Sequence, residues 1–163
     1  MTVMTRRLLL IAYVSLGTLL PSAAARAFTL TGFGGKLGYS TPENLDGTAM
    51  VGAHMELEQP GTRVHFIPSL MYWKVNGISD VNPNVDLYYH FVPEGFVTPY
   101  LGGGLGLNMY DRERRSSNTE LGLNLFGGLR MPGPYSHYFV EGRYTASDIS
   151  QFSVLGGVTF HNR

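Results

Sequence analysis

From Phe28 onward, apolar and polar residues alternate along eight segments, about 32–40, 48–58, 63–73, 84–92, 97–109, 119–131, 137–146 and 150–160. A period of two puts unlike side chains on the two faces of a strand. No stretch of similar length repeats with the period of a helix, so the pattern predicts an all-β chain.

The links between segments are of two kinds that take turns along the chain. Gln59-Pro60-Gly61-Thr62, Pro93-Glu94-Gly95 and Pro132-Gly133-Pro134 are short and made of turn residues. Ser40 to Gly47, Lys74 to Pro83, Tyr110 to Asn118 and Ser147-Asp148-Ile149 are more polar and mostly longer. Such an arrangement predicts an up-and-down antiparallel meander with tight turns at one end and loops at the other. Membrane barrels are built in this way, with short inner turns and longer outer loops.

The composition of the two faces bears on which one points inward. On the last segment Phe152, Val154, Val158 and Phe160 oppose Gln151, Ser153 and Thr159, and on the seventh Tyr138, Val140 and Tyr144 oppose His137, Glu141 and Arg143. A soluble, lipocalin-like barrel would turn the apolar face inward around a ligand. Two features favour the opposite arrangement. Aromatics mark both ends of the apolar face, with Tyr39, Tyr72, Tyr144 and Phe152 near the loops and Phe91, Tyr138 and Phe160 near the turns. They match the paired interfacial girdles of a membrane barrel. The polar face also mixes Tyr88, Tyr100, Phe126 and Phe139 with its charges, which suits a filled interior better than a solvated surface. The expected fold is an eight-stranded antiparallel up-and-down transmembrane β-barrel with a polar, filled lumen.

That phase turns Gly102, Gly104 and Gly106 of "YLGGGLGLN" inward, where they leave room for side chains of neighbouring strands. A phosphate-binding loop is excluded, because no helix and no Gly-Lys-Ser/Thr follows. The same phase collects a lumenal charge network of Lys36, Arg63, Arg130 and Arg143 with Glu56, Asp86, Glu120 and Glu141, among His54, His65, His90 and His137. Buried charges persist when paired and hydrogen-bonded, so the balance of signs favours the assignment. The tight turn suggests a register in which Glu58 faces Arg63 and Glu56 faces His65. The histidines come from four strands without short ligand spacing, so neither a metal nor another cofactor is expected.

Ahead of the pattern, Arg6 and Arg7 precede an apolar run from Leu8 to Leu20 and a small-residue stretch ending Ala25-Arg26-Ala27. These are the parts of a secretory signal peptide over residues 1–27, which leaves residues 28–163 as one domain. Removing Arg6, Arg7 and Arg26 tips the 12 basic and 12 acidic residues of the chain towards acid, so no nucleic-acid partner is expected. With no cysteine, no disulfide supports the fold. The charged run Asp111-Arg112-Glu113-Arg114-Arg115 reads as a solvated loop, with contact to anionic lipopolysaccharide as the alternative.

The motifs "TPYLGGGLGLN", "YFVEGRYTASDIS" and "FSVLGGVTF" resemble the small outer-membrane β-barrel family typified by the membrane domain of outer-membrane protein A, over essentially residues 28–163. The resemblance implies a monomer in the bacterial outer membrane, with lipid and lipopolysaccharide around it. It also implies an assembly signal at Val158 and Phe160, read by the outer-membrane assembly machinery. A peptidoglycan-binding domain of the kind that follows the barrel in larger relatives is not expected. Lipid A deacylase, an eight-stranded relative, uses a His-x-Ser pair that this chain lacks. The expectation is a non-catalytic protein serving envelope integrity or surface interaction. The alternatives are a narrow pore for small solutes, a lipid-modifying enzyme and a soluble ligand binder.

Overall fold

The computed structural model describes residues 28–91, 96–112 and 115–162. Residues 1–27, read as a signal peptide, the Pro93-Glu94-Gly95 link and Glu113-Arg114 of the charged run lie outside these residues. Eight strands follow one another: β1 (Thr29–Pro42), β2 (Thr48–Glu58), β3 (Val64–Val75), β4 (Ile78–His90), β5 (Thr98–Arg112), β6 (Arg115–Pro132), β7 (Ser136–Ala146) and β8 (Gln151–His161). Each pairs antiparallel with the next, and β1 pairs with β8 to close the barrel.

Polarity is inverted relative to a soluble domain. Leu37 is 69% exposed and Leu121 64%, and Phe33, Leu101, Leu125 and Val154 share that outer face. Lys36, Glu56, Asp86, Arg130, Glu141 and Arg143 are buried inside. A continuous apolar belt of this kind is far larger than water-soluble monomers expose. The girdle residues Tyr39, Tyr72, Phe91, Tyr138, Tyr144, Phe152 and Phe160 all stand on the outer surface.

Two local predictions need correction. The loop placed at Lys74 to Pro83 is mostly strand. Asn76 (φ 52) and Gly77 (φ 72) reverse the chain in two residues, as in the type I′ turn that suits the twist of paired strands. The β2–β3 register is also shifted: Glu58 stands opposite His65, not Arg63. Residues 59–63 form a longer link, closed by the Thr62 amide donating to the Gln59 carbonyl and turned by Gly61 at φ 79. At Pro68 the register is unchanged on either side, and the β2–β3 pairing is simply interrupted between His54↔Ser69 and Leu57↔Phe66. Proline has no N–H to offer that ladder.

The inward glycines stand beside rings. Gly102 pairs with Tyr88 on one side and Phe126 on the other, Gly128 with Tyr100, and Gly157 with Phe139. A Cβ at Gly102 would lie 2.5 Å from the Phe126 ring and 2.5 Å from the Leu87 carbonyl oxygen. Gly104 and Gly106 give the same clearance to Asp86 and Asn84.

Candidate functional site

The lumen is filled in tiers. In the half that carries the termini, the Glu56 carboxylate collects four polar partners. Its Oε1 accepts from Tyr88 Oη at 2.6 Å and lies at ion-pair distance from His65 Nδ1, 2.8 Å, and Arg130 Nη1, 3.2 Å, while its Oε2 lies 3.1 Å from His137 Nε2. Arg130 Nη2 also donates to His137 Nδ1, at 2.8 Å. A guanidinium can only donate, so Nδ1 is the acceptor and the proton of neutral His137 sits on Nε2. His161 Nε2 reaches the same Nδ1 at 3.0 Å.

Further along, Arg143 binds Asp86 Oδ2 through Nη1 and Glu141 Oε1 through Nε, each at 2.9 Å. Its guanidinium lies 4.3 Å from the centre of the Phe126 ring, a cation–π distance. Tyr100 donates to Glu141 Oε2 at 3.1 Å. An amide tier follows. Asn124 donates to Asn84 at 2.6 Å and to Asp86 at 3.1 Å, and accepts from Thr145 at 2.8 Å. At the loop end Met50, Met71, Trp73, Tyr110 and Leu155 form an apolar plug, backed by Leu45, Val75, Ile78 and Ile149.

Six of the eight residues read as a lumenal network lie inside: Lys36, Glu56, Asp86, Arg130, Glu141 and Arg143. Two do not join it. Arg63 is exposed in the β2–β3 link and donates to the Phe91 carbonyl at 3.2 Å, a consequence of the longer turn. Glu120 is half-buried near the loop end, where it accepts from the Asn118 amide. Val158 and Phe160, read as an assembly signal, both lie on β8. Lys36, Glu56, Arg130, Glu141 and Arg143 line a cavity of about 30 Å³, together with His54 and His137.

Two features escaped the sequence reading. Asp80, placed in a loop, is wholly buried beside the plug, opposite Trp73 on β3 and Tyr110 on β5. Recognising Asn76-Gly77 as a hairpin turn would have carried the inward phase of β4 back through Asn82 to Asp80. His161, one step past Thr159 on the same face of β8, is exposed, and its ring reaches His137 at the turn-end mouth.

The geometry of closure, antiparallel order and inverted polarity has counterparts among solved structures. Neisserial surface protein A matches with a TM-score of 0.72 at 14% identity, over 83% of this chain and 99% of its own. The chain has the fold of the small outer-membrane barrels. The N-terminal barrel domain of Pseudomonas aeruginosa OprF matches at a TM-score of 0.66 and 13% identity, over 83% of this chain and all of the domain. The outer membrane enzyme PagL matches at 0.52 and 12%, over 79% of this chain and 98% of its own. No family model matches the chain. No curated protein matches it either. Because this fold also carries an enzyme, it assigns no activity by itself.

Proposed function

We propose that this protein is a non-catalytic barrel of a bacterial outer membrane that serves envelope integrity or limited surface contact. The filled lumen is the observation that carries this reading. Charge pairs, an amide tier and an apolar plug occupy the interior and leave a cavity of about 30 Å³. The apolar outer belt supports the membrane location, since only lipid or detergent covers it without cost. The Asn76-Gly77 turn argues for limited rather than extensive surface contact, because it leaves little chain beyond the sheet at that hairpin.

Gel mobility of the outer-membrane fraction, unboiled and boiled, tests this proposal. A closed barrel resists detergent until heated, so a heat-dependent shift in that fraction is expected. Recovery as a soluble periplasmic protein without a shift would overturn it. A narrow pore is the second reading, favoured by the charged cavity midway along the lumen. Planar-bilayer recording separates the two. The filled-lumen reading expects no conductance steps, whereas steady ohmic steps from the unmodified protein would establish the pore.

A further inference from the structure

Lys36 stands on the inner face of β1 with a glycine on either side, Gly52 on β2 and Gly157 on β8. The Met71 side chain takes the room over Gly52 and the Phe139 ring that over Gly157, and neither offers an oxygen. Lys36 is 5% exposed, yet among the described residues its ammonium makes no hydrogen bond and no ion pair. The carboxylates of Glu141 and Asp86 act on it from beyond contact.

Those carboxylates are already engaged. Arg143 and Tyr100 hold Glu141, and Arg143 and Asn124 hold Asp86. Glu56 is surrounded in the same way by Tyr88, His65, Arg130 and His137. What Lys36 does line is the cavity of about 30 Å³. Lys36, Arg130 and Arg143 share its wall with Glu56 and Glu141, whereas Asp86 stands behind Arg143 and takes no part in it. With the wall histidines neutral, three cations face two carboxylates, an excess of one positive charge. A buried charge persists when it is paired. Water in the cavity would accept from the ammonium but leave its charge unopposed in a medium of low dielectric.

We propose that this cavity binds one small monovalent anion of the halide class, held by the Lys36 ammonium with Arg130 and Arg143 at its sides. The volume suits such an ion, since about 10–15 Å³ admits one water-sized sphere. Sulfate and phosphate, with four oxygens around a central atom, are too large. Their double charge would also exceed the single positive charge left on the wall. The site is built by omission: two glycines and their apolar fillers deny Lys36 an acceptor from the neighbouring strands.

The test grows crystals of the untagged, refolded barrel in sodium bromide and collects data at the bromine absorption edge. One anomalous peak is expected within hydrogen-bond reach of Lys36 Nζ. It should vanish in Lys36→Met and persist in Lys74→Met, whose lysine is on the outer surface. A second measurement is urea unfolding in lipid vesicles, with chloride against gluconate at equal ionic strength, gluconate being too large for the cavity. Chloride at ten times its dissociation constant should raise the folding equilibrium constant about 10-fold. Lys36→Met should show no such gain. The heat-dependent gel shift reports separately that each variant is a closed barrel. If Lys36→Met does not close, the bromide peak and the chloride effect in the unmodified protein decide alone. Density for water without an anomalous signal would overturn the proposal. So would a Lys36 ammonium seated against Glu141 or Asp86, equal stability in chloride and gluconate, or a chloride effect that survives in Lys36→Met.

Discussion

Glu56 and His137 meet across the lumen at 3.1 Å, and Arg130 bridges the back of the imidazole to the same carboxylate. Glu56, on β2, thereby ties together β3 through His65, β4 through Tyr88, β6 through Arg130 and β7 through His137. One carboxylate holds four strands besides its own.

Replacing Glu56 with Gln should therefore destabilise the barrel by about 3–5 kcal/mol, since it strands the Arg130 charge inside the lumen. Urea unfolding in lipid vesicles measures this. A double replacement, Glu56→Leu with Arg130→Met, should recover much of the loss because both charges of that pair are removed together. A single variant as stable as the parent would show that the junction contributes little.

The plug at the loop end gives an electrical prediction. Removing both Trp73 and Tyr110 by Ala substitution clears the two largest buried side chains there. Ion conductance in a planar bilayer should appear or rise relative to the unmodified protein, together with a stability loss of several kcal/mol, about 3–5 for each aromatic truncation. A silent bilayer would place the barrier lower, at the charged tiers.

The carboxylate oxygens of Asp80 make no well-formed hydrogen bond among the described residues, although the Met109 backbone and the indole N–H of the facing Trp73 lie close by, the indole itself being unmatched. A buried acceptor left in this state costs about 1–3 kcal/mol, more when charged. Asp80→Asn should accordingly raise the urea midpoint. A lower midpoint would mean that the carboxylate anchors Trp73 in the plug.

Gly102→Ala should cost about 1–3 kcal/mol through overpacking. Trimming Phe126 to Leu in the same chain should relieve only part of this. The Leu87 carbonyl is equally close to the new methyl and, being backbone, has little room to retreat. Full rescue in a double-mutant cycle would show that the ring is the sole obstacle.

The strands, their order and the face each turns inward were legible because a period of two is a strong signal when repeated eight times. Glycines opposite aromatics were legible for the same reason: once Tyr88 and Phe126 point in, Gly102 between them has to be small. Register was less accessible. A slip of two residues keeps every side chain on its own face, so the alternation could not tell Glu58 opposite Arg63 from Glu58 opposite His65. Asp80 was missed because Asn76-Gly77 was absorbed into a polar run, although the pair is itself a strong hairpin signal. The junction around Glu56 depends on rotamers reaching across the barrel from four other strands, and no local pattern encodes those.

The seam between the first strand and the last has a consequence for biogenesis. Ser40 finds its partner Gln151 at a sequence separation of 111 residues. Until that partner is synthesised, one margin of β1 has only open amides and carbonyls, which hydrocarbon cannot satisfy. Seven strands of this chain have no resting place in a bilayer. A truncation just before Gln151 leaves that margin open for good, and is an invitation to proteolysis rather than a smaller barrel.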